Sequence, residues 1–363
     1  MHRLPVTVVT GFLGAGKSTV LRQLLLTSGL RLAVLVNEFG EVGIDGDLIR
    51  SCGFCPEEQL EGRVVELANG CLCCTVQDEF LPTMQVLLER QHELDGIVVE
   101  TSGLALPLPL VQAFNWPEIR TRTRVTGVVT VVDGEALAAG SVVGDPAALE
   151  AQRNADPSLD HLSDIEELFD DQLQAADLVL LSRADRLNPG QIDQLQQQLR
   201  AAVRDGVNVL PMQRGEVPAA QLLGLDRLDA EHGHDHAHDH GHDDHDQDHD
   251  HGHHNDHLHH DHSHVAMQSA VLRWQGAVER AALERLLPEL IQAHQLLRLK
   301  GRAWLPGKDL PLQIQAVGPR WECWFDPASA SVRPSEGGVE LVALGLQVNP
   351  DQLQQQLNRA LAA

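Results

Sequence analysis

The stretch "TVVTGFLGAGKST", residues 7–19, constrains this chain most. It sets Gly11-x4-Gly16-Lys17-Ser18 after a β-branched run and before an apolar-periodic segment, the context a P-loop requires. The glycines let the backbone wrap phosphate groups with its N–H groups pointing inward, and the helix that follows adds its positive dipole end. Gly11, Phe12, Leu13, Gly14, Ala15, Gly16, Lys17, Ser18 and Thr19 are therefore the expected phosphate cradle. Lys17 is expected to reach the β- and γ-phosphates as a catalytic point charge, and Ser18 to hold Mg²⁺ through its hydroxyl. A glycine-rich turn that matches by chance is the alternative. Against it, only three of the 27 basic residues are lysines (Lys17, Lys300 and Lys308). Lys17 thus stands alone in an arginine-biased chain, at a place where arginine would not serve.

The strand-then-helix rhythm continues to about Pro211. Apolar runs at 6–10, 32–37, 96–100, 125–133, 177–182 and 207–211 lack polar alternation, as strands buried on both faces do. "STVLRQLLLTSG" and "PGQIDQLQQQLRAAV" read as helices between them. Residues 1–225 are expected to form an α/β P-loop NTPase domain with a mostly parallel, helix-flanked sheet. Its ligand should lie beyond the carboxyl ends of the strands.

Residues 231–264 hold 16 of the 20 histidines and no lysine or arginine. Such a composition buries too little apolar surface to offset its ordering entropy. Residues 226–264 are expected to be a disordered His/Asp-rich metal-binding linker, with a bare solvated linker as the alternative. Beyond it, strand-like runs ("SAVLRW", "PLQIQAV", "WECWF", "VELVALGL") and helical stretches (277–294, 350–361) predict a small, separate α+β domain over 265–363.

A formal charge of −25 argues against a nucleic-acid partner, which asks for a basic face. No stretch approaches the ~20 apolar residues that a membrane span needs. The N-terminus lacks the apolar segment of a secretory signal, so a cytoplasmic location is expected. In that compartment six cysteines point to metal binding or catalysis more than to disulfides. Nothing in the sequence sets an oligomeric state.

Three further segments surround the P-loop. In "DLVLLSRADRL", Arg183 and Asp185 stand where GTPases carry Asn-Lys-x-Asp, so Asp185 can accept from guanine and Arg183 can lie along the base. A strand end followed by an Asp turn is the alternative. In "GIVVETSGLALP", Glu100 ends a buried strand, where a carboxylate would hold Mg²⁺ through water or orient the attacking water. Gly103 can offer its N–H to the γ-phosphate. The loop 35–49 carries Glu38, Glu41, Asp45 and Asp47 and is a candidate switch, or else a solvated turn.

"NGCLCCTV" places Cys71, Cys73 and Cys74 after the run Val64–Leu67. In an extended segment Cys71 and Cys73 face the same side, making them the favoured ligand pair. Cys74 is then a spare ligand or a packing residue. A redox pair, inert core thiols, and a structural four-thiolate zinc site including Cys52 and Cys55 remain alternatives.

Together "TGFLGAGKST", "VNEFGEVGIDG", "ELANGCLCCTV" and "ETSGLALPLPLV" resemble the CobW-type GTPases, P-loop metallochaperones with a C-x-C-C signature. Segments 112–122 and 156–173 resemble the cobalamin-biosynthesis branch. The resemblance implies GTP hydrolysis coupled to Co²⁺ or Zn²⁺ binding at Cys71 and Cys73, with Glu38 and neighbouring carboxylates as further ligands. Ser182-Arg183 departs from the family's usual Asn-Lys.

These readings combine into a metal site gated by GTP and Mg²⁺, opened by hydrolysis and emptied into a metal-requiring client protein. Cobalt delivery toward a cobaltochelatase is the first expectation and zinc delivery the second. A small-molecule P-loop kinase and a plain metal-storage protein are the competing classes.

Overall fold

The computed structural model describes residues 3–36, 64–66, 80–155, 165–223, 267–326, 334–335 and 337–362. Seven parallel strands form the first sheet: β1 Leu4–Thr10, β2 Leu32–Val36, β3 Val64–Glu66, β4 Gly96–Glu100, β5 Thr123–Asp133, β6 Leu178–Ser182 and β7 Asn208–Pro211. Their order is β3-β2-β4-β1-β5-β6-β7. The P-loop strand β1 therefore lies between β4 and β5, with Val9 opposite Glu100 and Val8 opposite Val128.

Every residue of β1, β4, β5 and β6 is buried, as in strands covered on both faces, and β5 buries Arg124 along with its β-branched residues. Alternate side chains serve opposite layers. Val9, Val34, Val98, Val129 and Val131 pack with Val20, Leu21 and Leu24 of helix α1 (Lys17–Thr27). Val8, Ala33, Leu35, Ile97 and Val99 face α2 (Leu81–Glu89) and α3 (Pro107–Ala113), where Phe80 meets Phe114 edge-on at 5.2 Å.

Helices α4 (Pro146–Ala155), α5 (Ile165–Ala175) and α6 (Pro189–Ala202) follow. The start of α6 is fixed by Pro189 and by a capping box in which Asn188 and Gln191 satisfy each other's backbone N–H groups.

The second sheet is antiparallel: β8 Gln268–Gln275, β9 Leu296–Trp304, β10 Leu312–Val317, β11 Arg320–Phe325 and β12 Gly338–Gly345, in the order β11-β10-β9-β12-β8. Helices α7 (Arg280–Ala293) and α8 (Pro350–Leu361) cover one face. The fold class is thus as expected, with one strand the sequence did not announce. β9 occupies the centre of its sheet, yet its run "LLRLKGRAW" is broken by three cations and a glycine. Gly301 is there because a Cβ would meet Glu340 O of the adjacent strand at 1.9 Å.

The C-terminal unit packs onto the first sheet. Arg124 stacks 4.7 Å from the Trp324 ring and donates to Gln315. Asp177, its side chain fully enclosed, accepts from Val128 N (2.9 Å), from Arg204 (2.7 Å) and from Arg320 (2.5 Å) across the interface. Among the described residues, no helix is long and apolar enough to cross a membrane.

Candidate nucleotide site

The chain leaves β1 at Thr10 and turns through Gly11, Gly14 and Gly16, whose φ values of 135°, 75° and 105° lie where side chains are strained. At Gly11 space also forbids a substitute, since a Cβ would stand 2.2 Å from Val131 O. The loop closes on Lys17, the first residue of α1.

Lys17 is 7% exposed, and its Nζ donates to the loop's own carbonyls, Gly11 O at 2.8 Å and Phe12 O at 3.1 Å. An ammonium held there looks into the concavity, where phosphate oxygens would be better partners for it than neutral carbonyls. Ser18, one residue on, donates from Oγ to Glu100 Oε1 at 3.3 Å, and Glu100 is 2% exposed at the end of β4. A hydroxyl and a buried carboxylate side by side at a P-loop are the hard oxygen donors that Mg²⁺ takes. Ser18 and Glu100 therefore fit that ion.

A cavity of about 550 Å³ opens from this loop. Leu13 to Thr19 line one end, and Ser182, Arg183, Asp185, Met212 and Arg214 line the other. Its size suits a nucleotide. Arg183 and Asp185 thus share one cavity with the P-loop.

Arg183 is more constrained than expected. It adopts a left-handed conformation (φ 55°), donates to Gly14 O at 2.9 Å, and pairs with Asp133. Asp133 is almost wholly enclosed and also caps the short helix Gly134–Ala138, accepting from Glu135 N and Ala136 N at 3.1 Å each. Sequence reasoning passed over Asp133, because nothing local marks a strand-end aspartate as the partner of a residue fifty positions away. Ser182 donates to Val132 O at 3.1 Å, so its hydroxyl is engaged within the sheet. The Met212–Gly215 turn was also missed. It follows the last parallel strand, with Met212 hydrogen-bonded to Leu181 and Ala184, and that position after β7 was the available signal.

Gly103 lies beneath the P-loop; a Cβ there would stand 2.6 Å from Leu13 N. It is thus next to the phosphate end, as expected. Cys71, Cys73, Cys74 and Glu38 lie outside the described residues. So do Cys52, Cys55, the loop 37–47 and the histidine-rich segment. Among the described residues no cluster of three or more His, Cys, Asp or Glu could hold a metal ion.

A P-loop on a parallel sheet, with a buried carboxylate ending the neighbouring strand, defines the P-loop nucleotide-binding class. Residues 5–210 match the family described as CobW/HypB/UreG, nucleotide-binding domain, and residues 267–361 match the cobalamin synthesis protein cobW C-terminal domain. The chain belongs to this family of P-loop GTPases that act as metal chaperones.

It is 46% identical over 364 residues to the zinc chaperone CobW of Pseudomonas aeruginosa, covering 100% of this chain and 92% of that one. The zinc chaperone CobW of a Sinorhizobium species is 43% identical over 350 residues, covering 95% and 93%. A third relative, the zinc-regulated GTPase metalloprotein activator 1 of Schizosaccharomyces pombe, is 41% identical over 134 residues, covering 36% and 32%.

Proposed function

We propose that this GTPase is a zinc chaperone in which the nucleotide gates a thiolate site at Cys71 and Cys73, with Cys74 and Glu38 as supporting ligands. The observation that carries the reading is the position of β3. It runs parallel to β2, which pairs in turn with β4, so Glu66 ends on the sheet edge where β1 delivers the P-loop. The cysteine cluster follows Glu66 by five residues in sequence, and Glu38 follows the end of β2 by two. The last described residues before both candidate ligand groups thus stand at the sheet edge that carries the P-loop.

In this reading Lys17 leaves Gly11 O and Phe12 O for the β- and γ-phosphates, and the glycine turns point N–H groups at the same oxygens. Ser18 and Glu100 would hold Mg²⁺, which would supply neutralisation of phosphate charge. Glu100 also orients the attacking water, and Gly103 offers its N–H to the γ-phosphate. Asp185 accepts from the guanine edge, while the Arg183 stem lies along the base with its guanidinium fixed by Asp133. Loss of the γ-phosphate relaxes the 37–47 loop, opens the thiolate site and passes the metal to a client protein. Residues 226–264, between the two folded units, buffer metal through many weak imidazole sites.

The relatives' names and a thiolate donor set both favour zinc, which such ligands bind more tightly than cobalt. The cobalamin-synthesis description of the C-terminal match keeps cobalt, delivered to a cobaltochelatase, as the second reading. A cytoplasmic location accords with both. The test is a single turnover of zinc-loaded protein in the presence of a chelating dye. Zinc release should follow phosphate release, and should vanish with Lys17→Ala or a non-hydrolysable GTP analogue. Release at an equal rate without hydrolysis would overturn the proposal.

A further inference from the structure

The mechanism leaves unexplained what keeps Gly103 against the P-loop. Gln172, on α5, is completely buried. Its Nε2 donates to Gly103 O at 3.1 Å and to Ala105 O at 3.2 Å, clasping both ends of the turn that follows Glu100. Its backbone carbonyl accepts from Thr130 Oγ1 of β5 at 3.1 Å, which fixes the helix from the other side. One turn earlier, Phe169 stacks on Phe12 of the P-loop at 6.0 Å and 15°. α5 therefore grips the P-loop and the Gly103 turn at once.

Two carbonyls in reach require the NH₂ end of the amide to face them, and Gln172 Oε1 is then buried without a hydrogen-bond partner among the described residues. A buried acceptor left so is unfavourable. A helix needing only apolar contact there would carry leucine. A glutamine that bears this cost while holding two loop carbonyls suits a place where loop position matters more than stability.

We infer that Gln172 is the positioning residue for the γ-phosphate-sensing turn, setting the Gly103 N–H through its two hydrogen bonds to the carbonyls of Gly103 and Ala105. The inference rests on the role given to Gly103 above. A displaced turn would spoil contacts made only by the γ-phosphate and the transition state, and would leave GDP contacts unaltered.

The test compares wild type, Gln172→Met and the milder Gln172→Asn. Affinities for GDP and for a non-hydrolysable GTP analogue are measured beside kcat and thermal melting. For Gln172→Met, kcat should fall about tenfold or more, since misplacement on the order of 1 Å costs up to about 10²-fold. Analogue affinity should fall about tenfold while GDP affinity stays within about twofold. Gln172→Asn should show the same pattern at smaller size, and carries the test if Gln172→Met does not fold. Equal losses for GDP and analogue, or unchanged kcat in a folded variant, would overturn the inference. Wild type binding GDP and analogue equally would instead overturn γ-phosphate sensing by Gly103, and this inference with it.

Discussion

Asp133 does two jobs from one buried position: it caps a helix and neutralises Arg183, whose guanidinium also holds the P-loop carbonyl of Gly14. Asp133→Asn keeps a capping oxygen but removes the charge. We expect near-native stability with weaker GTP binding, read by calorimetry; unchanged affinity would mean that Arg183 needs no fixing. Cys323 makes a second residue-scale prediction. Burial pushes its thiol up to about 11, outweighing the nearby Arg280, which acts the other way. Below that value it stays protonated, so it should react with iodoacetamide slowly at pH 7.5 and faster as pH rises toward 11. Rapid modification of Cys323 at neutral pH, read by mass spectrometry of the peptide, would contradict this.

At the scale of elements, Asp177 joins β5, the end of α6 and the β10–β11 turn. Gly318 in that turn has φ 49°, and a Cβ there would meet Asp177 O at 2.3 Å. Asp177→Ala strands two arginines and the Val128 N–H. Both arginines are partly solvated, so the cost should lie at the lower end of about 3–5 kcal/mol in urea unfolding. A loss below about 1 kcal/mol would show the contact to be incidental. The parallel strands were legible in the sequence because burial on both faces leaves unbroken β-branched runs. β9 was not, because Arg298, Lys300 and Arg302 interrupt its apolar pattern and Gly301 looks like a turn residue. Its strand state is imposed by pairing with β10 and β12. The P-loop was readable because its chemistry is local in sequence, and Glu100 because it ends an unbroken apolar run, residues 96–99. Gln172, Asp133 and Asp177 were hidden because their partners lie on other elements, 27 to 143 residues away.

At the scale of the molecule, the described residues form two sheets in contact, one carrying the candidate nucleotide site and the other docked through Arg124, Arg320 and Trp324. In the proposed function the segment between them collects metal and takes no part in hydrolysis. Deleting residues 231–264 should therefore lower the number of zinc ions bound at equilibrium dialysis and leave GTP turnover within about twofold. Loss of turnover would count against the buffer role. The central claim is that nucleotide and metal sites are thermodynamically coupled, and such coupling is reciprocal. The most direct measurement is a zinc titration of the full chain with the GTP analogue, with GDP and without nucleotide, repeated on Cys73→Ala. The account predicts affinity at least about tenfold tighter with the GTP analogue than with GDP, a coupling of about 1.4 kcal/mol, lost in Cys73→Ala. Equal zinc affinity in all three nucleotide states would contradict it.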